Sequence, residues 1–158
     1  MSNNVYLMSA ARTPVGSFQG ALSTLSAPEL GAHAVQAALA QSDISADQIG
    51  EVILGNVVSA GLKQAPARQA MRLAGLPDGV GATTINKVCG SGMKAAMLAS
   101  DLIRAGSAQC IVAGGMESMS NAPYVLQKAR AGLRMGHADM KDTLFLDGLE
   151  DAETGNSM

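Results

Sequence analysis

The feature that most constrains the fold is an alternation of strand-like and helix-like segments up to about residue 115. Short runs rich in apolar and β-branched residues are followed by segments with helical periodicity. The predicted strands cover residues 5–10, 51–58, 82–88 and 109–113, and the predicted helices cover residues 28–41, 66–74 and 93–105. This alternation predicts an α/β fold, with a sheet covered by helices on both faces.

Two of these segments suggest how deeply the layers are buried. The strand at 109–113 contains the unbroken apolar run CIVA, which predicts a strand covered on both faces. The helix at 93–105 has apolar or small residues almost all round, which predicts burial on several sides. The first helix has the local signals of a well-defined start, with Ser26 as N-cap, Pro28 in the first turn and Glu29 near the positive end of the dipole.

Composition and charge exclude several classes of protein. Hydrophobic residues make up 47% of the 158 residues and charged residues 15%, which is too apolar for a disordered chain. A net charge of −2 gives no field that favours nucleic acid, and no apolar run approaches a membrane span. The N-terminal MSNN lacks the basic and apolar regions of a secretion signal. We therefore expect a cytoplasmic protein that binds neither nucleic acid nor membrane.

The character of the sequence changes after Glu117. Residues 118–158 are richer in Met, Asp, Lys and Arg and show weaker periodicity than the residues before them. We therefore predict an α/β domain at residues 1–117 and a separate extension at residues 118–158.

The run NKVCGSGMK, at residues 86–94, has the pattern of a reactive-cysteine turn. It places Cys89 after a predicted strand and just before a predicted helix, with Gly90 and Gly92 leaving room around the sulfur. Free N–H groups and the helix dipole favour an anion there, and thiolate is the nucleophilic form of cysteine. The N–H groups of Cys89 and Gly90 are candidates to stabilise an adjacent oxyanion. From the local sequence alone, a structural role for Cys89 stays open, because a lone cysteine is most often a small core residue.

The second cysteine, Cys110, fits that structural role, because it lies in the apolar run at 109–113. The two cysteines form no metal-like cluster, and their spacing leaves a disulfide open. The absence of a secretion signal favours reduced thiols over a disulfide.

Several blocks of the sequence resemble the thiolases, the family of acetyl-CoA acetyltransferases and 3-ketoacyl-CoA thiolases. The strongest is VCGSGMKA at residues 88–95, which resembles the nucleophile motif of that family. The others are SAARTPVG at 9–16, GNVV at 55–58 with PARQA at 66–70, and VAGGMESMS at 112–120. The resemblance covers essentially the whole chain, in the correct order.

The resemblance implies a fold and a reaction. The fold is the N-terminal half of a thiolase, a mixed sheet covered by helices on both faces, followed by the start of the loop domain that binds CoA. Cys89 accepts an acyl group from an acyl-CoA, and the amide of Cys89 helps to form an oxyanion hole. The acyl group then passes to acetyl-CoA, or to free CoA in the cleavage direction. The expected activity is that of an acetyl-CoA C-acetyltransferase, which needs no metal or redox cofactor.

The resemblance also implies substrate contacts. Met135 matches a position that lines the acyl pocket of a neighbouring subunit, and Leu149 and Met158 match positions that touch the pantetheine arm of CoA. The expected ligands are acetyl-CoA, CoA and acetoacetyl-CoA or a longer 3-ketoacyl-CoA. Some acetoacetyl-CoA thiolases carry a histidine at the position of Ser157, so the preferred acyl length is left open. The family forms dimers and tetramers, and we expect a homo-oligomer.

A thiolase needs a second half, which supplies an activating histidine, a second catalytic cysteine and an asparagine-held water. Its Gly-His-Pro, Cys-x-Gly and Asn-Glu-Ala-Phe motifs do not occur in this sequence. His33 is expected to be an ordinary helix residue, and His137 lies in a basic cluster that either forms a solvated face or meets CoA phosphates. We therefore predict that the chain alone is inactive and works with a complementary C-terminal polypeptide, which is either a separate chain or the remainder of a cleaved or truncated protein that stays associated with it.

Two other functions compete with this one. The first is a ketosynthase-like condensing enzyme that acts on carrier-protein thioesters. The second is a non-catalytic subunit that binds acyl-CoA or assists assembly, and the missing second half supports it. The nucleophile motif at Cys89 favours the enzyme, because a scaffold has no need of a thiolate at the start of a helix.

Overall fold

The computed structural model describes residues 4–158, and its first regular element is helix α1 (Ala27–Ala40). Ser26 caps this helix as predicted. The Ser26 hydroxyl accepts the Glu29 N–H at 3.4 Å, and the Glu29 carboxylate accepts the Ser26 N–H at 2.7 Å. Residues 1–3, part of the N-terminus in which no secretion signal is predicted, lie outside the described residues.

The central sheet has three parallel strands in the order β2-β1-β3. The elements are β1 (Glu51–Gly55), α2 (Pro66–Leu73), β2 (Gly81–Ile85), α3 (Ser91–Arg104) and β3 (Ile111–Gly115). Gly55 is aligned with Ile85 on one side and Gly115 on the other, so the three strands end level. The loops that follow them therefore meet at one edge of the sheet. The family resemblance implied a mixed sheet, whereas this sheet is parallel throughout.

Helices cover both faces of this sheet, as the sequence predicts. Val52 and Leu54 of β1 belong to the main core cluster, together with Val35 of α1 and Met71 of α2. Side chains alternate along a strand, so Gly55 faces the opposite side from Leu54. There it packs against Ser91, the first residue of α3. The α/β layering is therefore confirmed, and each predicted element from 28 to 113 has its counterpart with bounds shifted by at most three residues.

The predicted strand at residues 5–10 is wrong for the described part of the chain. Residues 4–10 have no strand assignment and pair with none of the strands in residues 4–158. Tyr6 and Leu7 are 72% and 96% exposed. A groove of about 490 Å³ lies between residues 5–11 and β3, walled by α1 and α3. A strand is defined by its hydrogen-bonded neighbour, and the local pattern does not reveal whether a neighbour is present.

Helix α3 is less buried than the sequence predicts. Its buried residues are Ser91, Ala95 and Ala99, which form one stripe along the helix. Met93 and Met97 are 75% and 53% exposed, so the prediction of burial on several sides is wrong. Strand β3 is likewise half-buried instead of fully covered. β3 lies at an edge of the sheet, and within residues 4–158 no further strand pairs with it.

Residues 118–158 run from the end of β3 across the loop ahead of α1. The Ser118 hydroxyl donates to Leu25 O at 2.8 Å, and the Asn121 amide donates to Ser23 O and Leu25 O at 2.9 Å. A short antiparallel pair, β4 (Tyr124–Leu126) and β5 (Met140–Asp142), precedes a five-residue helix at Phe145–Leu149. The predicted domain division at residue 117 stays a prediction. No helix within residues 4–158 is both long and apolar enough to cross a membrane.

Candidate active site

The candidate nucleophile lies in a tight turn between β2 and α3. β2 ends at Ile85 and α3 begins at Ser91, so residues 86–88 separate Cys89 from the strand, which it was predicted to follow directly. Val88, the residue before it, has φ +47°, which lies in the left-handed region. A β-branched residue is rare in that region, because its side chain crowds the backbone. The chain therefore reverses sharply just ahead of Cys89.

Two polar side chains hold this turn. The Asn86 Oδ1 accepts the Val88 N–H at 2.9 Å. The Ser91 hydroxyl donates to Val88 O at 2.6 Å and accepts the Lys87 N–H at 2.8 Å. Ser91 is buried, with 5% of its surface exposed, whereas Asn86 is exposed. Both polar backbone groups of the strained residue Val88 are therefore bonded to side chains.

Cys89 itself is exposed, and among residues 4–158 neither its sulfur nor its N–H has a hydrogen-bond partner. The Gly90 N–H, in contrast, donates to Lys87 O at 3.0 Å, and the Ser91 N–H donates to Val88 O at 3.1 Å. The two candidate oxyanion donors thus differ, since the Cys89 N–H is available to a ligand and the Gly90 N–H closes the turn. A group bound at the sulfur would also lie near the positive end of α3.

The start of α3 lies unusually close to the ends of β1 and β3, because three glycines meet there. A Cβ added to Gly55 would lie 2.9 Å from the Ser91 carbonyl carbon and closer still to the Ser91 Cβ. A Cβ on Gly115 would lie 3.5 Å from the Gly92 Cα. At Gly55 the backbones can approach this closely only without a side chain, whereas the distance at Gly115 is an ordinary contact. The sheet thereby fixes the position of the turn that carries Cys89.

A buried polar cluster lies beside this edge of the sheet. The Glu117 carboxylate accepts the Asn56 amide at 2.7 Å and the Val57 N–H at 2.8 Å, with the Val58 N–H more distant at 3.3 Å. Burial raises the pKa of the Glu117 carboxyl above its ordinary value, although these hydrogen bonds oppose the shift. Asn56 is 1% exposed, and its Oδ1 has no partner among residues 4–158.

The cluster connects to the cysteine turn through Val57. The Asn86 amide donates to Val57 O at 3.4 Å, and the Val57 N–H is held by Glu117. No functional role was predicted from the sequence for Asn56, Asn86, Ser91 or Glu117. The available signal was that Asn56, Ser91 and Glu117 are polar residues within sequence blocks that resemble the family, and that Asn86 directly follows a strand.

The predicted substrate contacts lie in the C-terminal extension. Met135 is 98% exposed, in a loop between Gly132 and Gly136, both of which have positive φ. Leu149 is half-buried and accepts the Met158 N–H at 2.9 Å, so these two residues lie together. Within residues 4–158, no hydrogen bond joins any of the three to the Cys89 turn. Their predicted contacts with substrate stay predictions.

The two histidines and Cys110, which were also considered as functional residues, lie away from this turn. Among residues 4–158 neither histidine has a hydrogen bond to Cys89, with His33 exposed on α1 and His137 exposed in the loop before β5. Cys110 and Cys89 are both free, so they do not form the disulfide that their spacing left open. Burial raises the pKa of the Cys110 thiol, which favours its neutral form. Cys110 therefore fits a packing role and not that of a nucleophile.

Comparison with known proteins identifies the family. A family profile described as "Thiolase, N-terminal domain" matches residues 5–158. An acetyl-CoA acetyltransferase of Pseudomonas aeruginosa is 56% identical over 149 residues, which are 94% of this chain and 38% of the relative. Proteins of the same description from Cupriavidus necator and Saccharomyces cerevisiae are 55% and 52% identical, over 94% and 100% of this chain and 38% and 40% of their own lengths.

This chain thus spans about two fifths of the length of these curated relatives. The profile match covers nearly all of it, and it includes the turn that carries Cys89 and the cluster around Glu117. The chain therefore belongs to the thiolase family, and residues 5–158 correspond to the N-terminal domain of that family.

Proposed function

We propose that the complete protein containing this chain is an acetyl-CoA C-acetyltransferase that works through a covalent acetyl-Cys89 intermediate. The observation that carries this proposal is the state of Cys89, an exposed residue with a free thiol just ahead of α3, whose N–H has no acceptor within residues 4–158. A nucleophile and an oxyanion donor are then supplied by the same residue. The relatives described as acetyl-CoA acetyltransferases support the choice of substrate.

In the first half of the reaction, the Cys89 thiolate attacks the carbonyl carbon of acetyl-CoA. The carbonyl oxygen becomes an oxyanion, and the Cys89 N–H donates a hydrogen bond to it. The bond between that carbon and the CoA sulfur then breaks. The departing CoA thiolate takes up the proton that Cys89 lost, so that CoA leaves as a thiol and acetyl-Cys89 remains.

In the second half, another acetyl-CoA loses a proton from its methyl carbon. The resulting enolate attacks the carbonyl carbon of acetyl-Cys89, and the bond from that carbon to the sulfur breaks. The freed thiolate recovers a proton, and acetoacetyl-CoA leaves. Cleavage of acetoacetyl-CoA or a longer 3-ketoacyl-CoA is the same sequence in reverse, with CoA as the final acyl acceptor. Neither half requires a metal or a redox cofactor.

Proton transfer at Cys89 requires groups from outside residues 4–158, since no histidine or carboxylate within them is bonded to the sulfur. We propose that a complementary C-terminal polypeptide supplies the base and that this chain alone is inactive. The groove between residues 5–11 and β3 offers it a docking place. There β3 presents a strand edge that is unpaired within residues 4–158, and another strand can add to such an edge.

The C-terminal extension is proposed to contact the CoA substrate and a neighbouring subunit. Leu149 and Met158 lie together, which suits contact with one pantetheine arm. Met135 projects on an exposed loop, which suits a residue that reaches the acyl pocket of another subunit in a dimer or tetramer. The reaction needs Cys89 as a free thiol, and both cysteines are free. A reducing compartment such as the cytoplasm maintains that state.

The test is acetylation of the complete protein by acetyl-CoA, followed by peptide mass analysis. We expect a mass increase of one acetyl group on the peptide that contains Cys89, and none in a Cys89→Ala variant. Cys110→Ala is the matched control, because Cys110 is the other free cysteine and should leave labelling unchanged. Thiolysis of acetoacetyl-CoA and of longer 3-ketoacyl-CoAs then measures the preferred acyl length.

Three outcomes would contradict the proposal. Absence of acetylation at Cys89 would favour a non-catalytic subunit that binds acyl-CoA. Labelling only from a carrier-protein thioester would favour a ketosynthase-like enzyme. Thiolase activity of the purified 158-residue chain by itself would contradict the need for a complementary half.

A further inference from the structure

The turn before Cys89 adopts a conformation that its own sequence disfavours. Val88 has φ +47°, and valine is among the residues that avoid the left-handed region most strongly. A residue remains in such a conformation only where its surroundings impose it. Without that constraint, Val88 would return to negative φ. The following peptide, which contains the Cys89 N–H, would then rotate.

The constraint comes from two side chains on either side of Val88. Asn86 Oδ1 accepts the Val88 N–H at 2.9 Å, and the Ser91 hydroxyl donates to Val88 O at 2.6 Å. The same hydroxyl accepts the Lys87 N–H at 2.8 Å, which fixes the preceding peptide as well. We call Asn86 and Ser91 the Val88 clamp.

Each member of the Val88 clamp is tied to the sheet. Ser91 is buried against Gly55, where even a methyl group on the glycine would overlap it. Asn86 uses its amide N–H on Val57 O, at 3.4 Å, in the loop after β1. The strained conformation of Val88 is therefore tied to β1, in which Val52, Ile53 and Leu54 are at most 3% exposed.

The direction of the Cys89 N–H follows from this geometry. The turn uses the N–H groups of Val88, Gly90 and Ser91 internally, and the Cys89 N–H is left without an acceptor in residues 4–158. We propose that Asn86 and Ser91 are positioning residues that hold Val88 at positive φ, so that the Cys89 N–H and the Cys89 sulfur can contact the same bound thioester. This inference rests on the proposed function of Cys89.

The test uses the complete protein and compares two reactions of Cys89. Acetylation by acetyl-CoA needs the sulfur and the N–H together, whereas alkylation by iodoacetamide needs the sulfur alone. In Asn86→Ala we expect the acetylation rate to fall about 10- to 100-fold, since a misplacement near 1 Å has effects of that order. We expect alkylation to change less than about threefold, because the reaction of a thiolate with iodoacetamide needs no oxyanion donor. Asn86→Asp keeps the acceptor for the Val88 N–H and should recover most of the acetylation.

Ser91→Ala removes the second member of the Val88 clamp. Val88→Gly removes the backbone strain at residue 88, where the clamp holds φ positive. Glycine adopts positive φ without penalty, so Asn86→Ala should cost less in a Val88→Gly background than in the native one. Asn86 is exposed, so its variants are expected to fold.

The outcomes separate the two proposals. Equal losses of acetylation and alkylation, together with a lowered melting temperature, would assign Asn86 a merely structural role and overturn the positioning. Acetylation of Asn86→Ala at the native rate would also overturn it and leave the function of Cys89 intact. If Cys89 of the native protein is alkylated but never acetylated, the proposed function fails, and the positioning fails with it.

Discussion

Replacement of Gly55 by alanine tests how tightly the sheet holds the cysteine turn. The added Cβ would lie 2.9 Å from the Ser91 carbonyl carbon and 3.1 Å from Gly92 N. Ordinary carbon–carbon contacts are about 3.5–4.0 Å, so the start of α3 must move by on the order of 1 Å. The nearest atoms are backbone atoms and a short buried side chain, so they have no rotamer change that removes the overlap. We expect a loss of roughly 1–3 kcal/mol in the free energy of unfolding.

The assay for this prediction is thermal unfolding combined with acetylation of Cys89. In a domain of about 150–250 residues, 1 kcal/mol corresponds to about 2–4 °C in melting temperature. A displacement of the turn by about 1 Å should also lower the acetylation rate by up to ~100-fold. Gly114→Ala is the matched control, because the nearest atom to its new Cβ is Leu54 Cδ2 at an ordinary 3.7 Å. If Gly55→Ala matched Gly114→Ala in both measurements, the close packing of α3 on β1 would not position Cys89.

Two further predictions concern stability. Met71→Ala should lower the free energy of unfolding by about 2–5 kcal/mol, because Met71 is 0% exposed in the core. Met93 is 75% exposed, so Met93→Ala should change the free energy of unfolding by less than ~0.5 kcal/mol. Chemical denaturation of both variants checks this, and similar losses would mean that the core is wrongly placed. Glu117 has a raised pKa, so its contribution to stability is present below its ordinary value of 4.5 and is lost as the pH rises through the folded value. The melting temperature of the native protein minus that of Glu117→Gln should therefore decrease from about pH 4 to about pH 7, and an increase would contradict the burial of this carboxyl.

Much of the fold was predictable because its signals are local. The cap at Ser26 and the buried strand β1 depend on neighbouring residues in the sequence, and both were located to within a few positions. Residues 5–10 and the exposed face of α3 were predicted wrongly, because strand formation and helix burial require a partner. Sequence periodicity shows that a surface is apolar but does not show what covers it.

The candidate site was predictable in part for the same reason. Cys89 was identified from its neighbours and from the family resemblance of the run around it. Local sequence did not reveal that the Gly90 N–H closes the turn, nor that the Cys89 N–H has no acceptor in the described part of the chain. That difference depends on the positive φ of Val88 and on contacts of Ser91 with β1, which lies over 30 residues earlier in the chain. Valine gives no sequence signal for a left-handed conformation, since it avoids that region elsewhere.

A pulse and chase of the acetyl group on the complete protein tests directly whether Cys89 carries a covalent intermediate. A brief exposure to labelled acetyl-CoA, followed by acid quench and peptide mapping, should place the label on Cys89. A chase with unlabelled CoA should remove it and return labelled acetyl-CoA, because acetyl-Cys89 is an intermediate of a reversible reaction. Label on any other residue, or label on Cys89 that CoA cannot remove, would contradict acetyl-Cys89 as the reaction intermediate.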